Sequence, residues 1–224
     1  MLTASLRPVC VSSSGAAAIL GFAGECVKNL VFCGDGVLCP QDGYGDLLVE
    51  LLTLRRPAAS FHSFVRGEAE LTTEGALRDA PALIGKAPDF VLLGVGHADI
   101  LRGDEPALAL ARLRDLVQLL LIKTHADVAV ASLCTAFLPA EAREAATAFN
   151  ADLPDLVDRT STAGARVRVA DLDAPVRAFL EAHRRGGGEK RALHVQSLRP
   201  TSMGRLLLAH AAWDALGLES FFPA

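Results

Sequence analysis

The sequence predicts an α/β fold: one five-stranded parallel sheet, order 2-1-3-4-5, with helices on both faces. Three observations predict it. Five apolar runs begin near residues 29, 60, 90, 127 and 165, a spacing that leaves room for a helix between each pair. Most of these runs are continuously apolar rather than alternating, as in strands covered on both faces. The segments between them carry apolar residues at helical spacing, so each strand–helix–strand unit is a right-handed crossover.

The elements follow in order. Residues 29–33 form an apolar run that stops at Gly34. Leu47, Leu48, Leu51 and Leu52 then mark a helical stripe. Residues 60–65 are a second, poorer strand, and residues 90–93 a third that ends at Gly94. Leu110, Leu113, Val117, Leu120 and Leu121 share one helix face, with Asp104 expected as the cap and Pro106 in the first turn. Residues 127–133 are the fourth strand. A helix from about Pro139 runs past Phe149, Leu153 and Leu156, and residues 165–170 are the fifth strand. Helices from about Ala174 to His183 and from Thr201 to Leu216 complete the chain, with Gly217 as a stop and Gly186–Gly187–Gly188 as a loop.

Composition narrows the function. The chain has 224 residues, of which 51% are hydrophobic and 21% charged, so it can bury one sizeable core and is not disordered in the main. A net charge of −4 and only 5% aromatic residues argue against nucleic acid as a partner. The five cysteines (Cys10, Cys26, Cys33, Cys39 and Cys134) form no CxxC pair and no even framework, which points to reduced thiols in an intracellular protein, in the cytosol or an organelle matrix. The apolar stretch Ala16–Phe22 is too short for a membrane span and follows a Ser-rich segment. Residues 1–27 are therefore read as an N-terminal arm or extension, with a targeting segment as the alternative. Residues 28–224 are read as a single domain.

In an open parallel sheet, ligands bind at the carboxyl ends of the strands. Here those ends carry Gly34–Asp35–Gly36, Arg66–Gly67–Glu68 and Gly94–Val95–Gly96–His97–Ala98–Asp99, and Gln196–Ser197–Leu198–Arg199–Pro200 precedes the last helix. The set resembles the four motifs of the SGNH (GDSL) hydrolases, a family of esterases and lipases. Gly34–Asp35–Gly36 matches its Gly-Asp-Ser. Gly67 matches its second-motif glycine, with Thr72 and Thr73 opening the next helix. Residues 96–99 match Gly-x-Asn-Asp, and residues 196–200 match Asp-x-x-His-Pro. The resemblance spans about residues 28–218. It implies a three-layer α/β/α sandwich with a flavodoxin-like sheet.

The departures from that pattern decide the expected chemistry. The nucleophilic serine of the family falls on Gly36, its oxyanion asparagine on Ala98, its histidine on Arg199 and the orienting aspartate on Gln196. A glycine cannot form an acyl-enzyme, and a guanidinium stays protonated near neutral pH. The resemblance therefore implies a catalytically degenerate member with no catalytic residue, kept for a structural or binding role such as that of a subunit in a larger assembly. An esterase with a non-standard residue set is the alternative, using a Cys39–His97 pair or His194 as a displaced base. A third reading makes Gly36, Gly67, His97 and Arg199 a pocket for a small anion. Asp35 and Asp99 are expected to hold loops together. Arg199 would then either bind the anion or pair with one of these aspartates. No cofactor or metal is expected, although a metal between Asp35, His97 and Asp99 is a minor alternative. Phe221 and Phe222 are a candidate contact point for a protein partner.

Overall fold

The computed structural model describes residues 26–38, 43–55, 57, 59–161, 167–185, 194–196 and 199–216. Five strands form one sheet: β1 (Cys26–Gly34), β2 (Ala59–Gly67), β3 (Phe90–Gly94), β4 (Asp127–Ala131) and β5 (Val167–Ala170). The order is β2-β1-β3-β4-β5 and every pair in it is parallel. The expected topology therefore holds. β1 opens at Cys26, so residues 26 and 27 belong to the sheet rather than to an arm.

Burial follows the composition of the strands. Residues 30–33 of β1, residues 90–93 of β3 and all of β4 are buried, because helices cover both faces of the central strands. β2 lies at the sheet edge and is only partly covered, which explains its poorer apolar run, with Ser60, His62 and Ser63 among its residues.

The helices are α1 (Gly45–Arg55), α2 (Thr73–Arg78), α3 (Ala80–Ile84), α4 (His97–Arg102), α5 (Pro106–Lys123), α6 (Arg143–Thr160), α7 (Asp173–Arg185) and α8 (Ser202–Leu216). The expected stripe of α5 is buried at Leu110, Leu113, Val117 and Leu120, while Leu121 at its end is half-buried. Its cap is not Asp104. The N-cap position is Glu105, and Asp104 instead accepts a bond from Arg112 Nη1 at 3.0 Å. The helix expected from Pro139 begins as a 3-10 turn, Ala140–Ala142, before α6 proper. The short helices α3 and α4 were not foreseen. Neither was the antiparallel pair β6 (His194–Gln196) and β7 (Arg199–Pro200) that leads into α8.

No helix among the described residues is long and apolar enough to cross a membrane. The readings placed on residues 1–25, on the 186–188 loop, on Gly217 and on Phe221 and Phe222 lie outside the described residues.

Candidate functional site

Three glycines stand abreast at the carboxyl edge of the sheet, because Gly34 is in register with both Gly67 and Gly94. A side chain at Gly34 would be crushed. A Cβ there would lie 2.8 Å from the Gly94 carbonyl oxygen and 2.6 Å from Leu38 Cδ2. The glycine thus lets the turn after β1 fold back over the sheet edge. Asp35 N donates to the Gly94 carbonyl at 3.0 Å, and Leu38 N donates to the Asp35 carbonyl at 3.0 Å. The Glu68 amide donates to the Gly34 carbonyl at 3.3 Å, which ties the end of β2 to the same point.

The Asp35 carboxylate is fully buried and accepts three bonds. Val37 N donates to Oδ1 at 3.3 Å, while His97 N and His97 Nδ1 meet Oδ2 at 3.1 and 2.9 Å. The second His97 nitrogen is also taken, since Nε2 lies 2.9 Å from the Cys134 amide. A backbone N–H can only donate, so Nε2 is the acceptor and the ring proton sits on Nδ1, facing Asp35. His97 is therefore a buried strut between the turn after β1 and the loop after β4. It has no nitrogen left for a substrate, an anion or a thiol. Both nitrogens of this candidate anion ligand are thus engaged within the fold.

Glycine is also required before that histidine. Gly96 has φ +128°, and a Cβ on it would meet Phe149 Cζ at 3.0 Å and Leu133 Cδ2 at 3.1 Å.

Asp99 does parallel work one turn further on. It is fully buried and accepts from Thr73 N at 2.8 Å and from Thr73 Oγ1 at 2.6 Å. Arg112 Nη1 lies 3.8 Å away. Burial pushes the Asp99 carboxyl above its ordinary value, and the two Thr73 bonds oppose that shift. Thr72 caps α2 as expected, accepting from Gly75 N at 3.1 Å. Because Asp99 is committed to Thr73, it does not join Asp35 and His97 around one point. Among the described residues no group of three potential metal ligands gathers anywhere.

These links fix the chain on either side of the three candidate positions. Gly36 follows Asp35, Gly67 sits beside Gly34, and Ala98 follows the histidine bonded to Asp35. Gly36 and Ala98 are both buried. The backbone of Arg199 lies in β7, ahead of α8. Its side chain, those of Gln196 and His194, and all of Cys39 lie outside the described residues. The buried thiols are poor nucleophiles. Burial lifts Cys33 to about 12 and raises Cys134 well above its ordinary value.

A second polar cluster was missed at the sequence level. Ser132 Oγ donates to Asp171 Oδ1 at 3.1 Å and accepts from the amides of Leu172 and Asp173 at 2.9 and 3.0 Å. Asp173 Oδ1 accepts from Thr135 N and Thr135 Oγ1 at 2.7 and 2.8 Å, and its Oδ2 pairs with Arg177 Nε at 2.8 Å. Asp171 also accepts from Ala174 N at 3.1 Å, so it caps α7. The signal was the run Asp171–Leu172–Asp173 immediately before a helix, an N-terminal pattern. Asn150 adds a third tie. Its side chain accepts from Leu133 N at 2.7 Å and donates to the Leu133 carbonyl at 2.8 Å, fixing α6 to the loop after β4.

Neither a family model nor a curated protein matches the sequence. Solved structures do. An acetylxylan esterase from Geobacillus stearothermophilus, Axe2, superposes with a TM-score of 0.69 at 18% identity, covering 86% of this chain and 95% of its own. A member of the lipolytic G-D-S-L family from Veillonella parvula gives 0.64 at 16%, covering 86% and 99%. TesA gives 0.64 at 21%, covering 84% and 98%. With the parallel sheet and its 2-1-3-4-5 order, these likenesses establish that the chain has the fold of the SGNH (GDSL) esterases and lipases.

Proposed function

We propose that this chain does not run the acyl-enzyme chemistry of the esterases whose fold it has, and that it serves a binding or structural role, as a partner in a larger assembly. One observation carries the reading. The residue after Gly34–Asp35 is Gly36, buried and without a side-chain oxygen, so the turn that would present a nucleophile presents none. The surroundings support it. The imidazole beside that turn is consumed by Asp35 and the Cys134 amide. The oxyanion position is Ala98, and removal of one such donor alone costs about 3 kcal/mol of transition-state stabilisation.

On this reading Asp35 and Asp99 persist because the fold needs them. Any anion pocket at the old site reduces to Gly36, Gly67 and Arg199, since His97 offers nothing to it. Hydrolysis of short-chain p-nitrophenyl esters tests the proposal. Turnover by the purified chain should equal that of buffer. Saturable turnover that scales with protein and survives repeated purification would establish an esterase with another residue set.

A further inference from the structure

We propose that a single internal water molecule is a built-in part of this fold, bound by the Tyr44 hydroxyl beneath the turn that carries Gly36. Tyr44 is 1% exposed, and its hydroxyl is the one buried side-chain polar atom among the described residues that has no hydrogen-bond partner. It lines a small, partly open cavity of about 10 Å³, together with Leu38, Gly94, His97, Ser132 and Cys134. That volume is the size of a single water site.

The walls decide what could occupy it. Both His97 nitrogens are bonded, and the Ser132 hydroxyl already donates once and accepts twice. The Tyr44 O–H is left as a donor. The Cys134 sulfur is left as a weak acceptor, because its recorded bond is a long 3.8 Å donation to the Leu172 carbonyl. The Gly94 carbonyl accepts from Asp35 N with one lone pair, and a carbonyl has two. A water accepting from Tyr44 and donating toward Cys134 and Gly94 would meet the requirement of two to four polar partners. An apolar occupant would leave the hydroxyl unsatisfied, and a volume of about 10 Å³ suits one water. Such a water would join the residue before α1, the end of β3 and the loop after β4, beside His97 of the Asp35–His97 strut.

Two measurements test this. A high-resolution crystal structure of the chain should show one water oxygen at about 2.5–3.0 Å from Tyr44 Oη. Oxygen-17 relaxation dispersion should count one long-lived internal water fewer in Tyr44→Phe than in the wild type. A dry cavity in the crystal structure overturns the proposal. So does an unchanged water count in Tyr44→Phe, and a higher unfolding midpoint in that variant would then show that the hydroxyl had been buried without a partner.

Discussion

Removing the Asp35 carboxylate should cost this chain much of its stability, although no chemistry is assigned to it. Asp35→Ala deletes three accepted bonds at a site with no solvent. The Val37 contact at 3.3 Å is the weakest. The His97 amide and the His97 Nδ1–H lose their acceptor outright, and His97 is only 3% exposed. Each buried donor left unpaired costs about 1–3 kcal/mol, so two of them cost about 2–6 kcal/mol, and about 4 kcal/mol is the central expectation. For a domain of this length that is a fall of about 8–16 °C in Tm. Urea unfolding followed by circular dichroism measures it, with the slope against denaturant unchanged. The His97→Ala variant and the double variant complete a cycle. Because the two side chains form one unit, the double variant should be less destabilised than the sum of the singles by about 1–3 kcal/mol. A loss under about 1 kcal/mol in Asp35→Ala, or additivity in the cycle, would refute the reasoning that this aspartate is retained as a strut.

Two further predictions concern titration and reactivity. Asp99 has a raised value in the fold, so its contribution to stability is fully present below its ordinary value of 3.8 and is lost as pH rises through the raised one. Asp99→Asn should therefore cost more at the acid end of a pH 4–8 denaturation series than at the alkaline end, and a cost that grows with pH would contradict the sign. Cys33 and Cys134 should resist iodoacetamide at pH 8 in the native chain and react once it is unfolded, as peptide mass spectrometry would show. Native-state labelling of either would mean that burial does not hold these thiols protonated.

Much of the frame was legible because its signals are local. Continuous apolar runs ending in glycine located β1 and β3. Gly34–Asp35–Gly36 after β1 and Gly94–Val95–Gly96 after β3 located the two loops that the Asp35–His97 bonds join. What was not legible depends on partners remote in the chain. His97 could be read as a ligand or a base because its second partner is the backbone amide of Cys134, 37 residues away, and an amide leaves no mark in a sequence. Asp104 has the position of a cap, yet Arg112, one face along α5, takes its carboxylate instead. Ser132, Asp171 and Asp173 lie about 40 residues apart across two strands, and only the parallel pairing of β4 and β5 brings them together. That Gly36 offers no side-chain oxygen was readable directly, since an absent side chain needs no geometry to be recognised.

The central claim, that no residue of this chain acts as the acyl-accepting nucleophile, is tested most directly by a fluorophosphonate probe. The purified protein would be incubated with the probe and the intact mass measured, beside a working serine esterase as positive control. The account predicts no adduct on this chain under conditions that label the control to completion. A stoichiometric adduct that disappears on denaturing the protein before labelling would contradict it, and the modified peptide would identify the nucleophile.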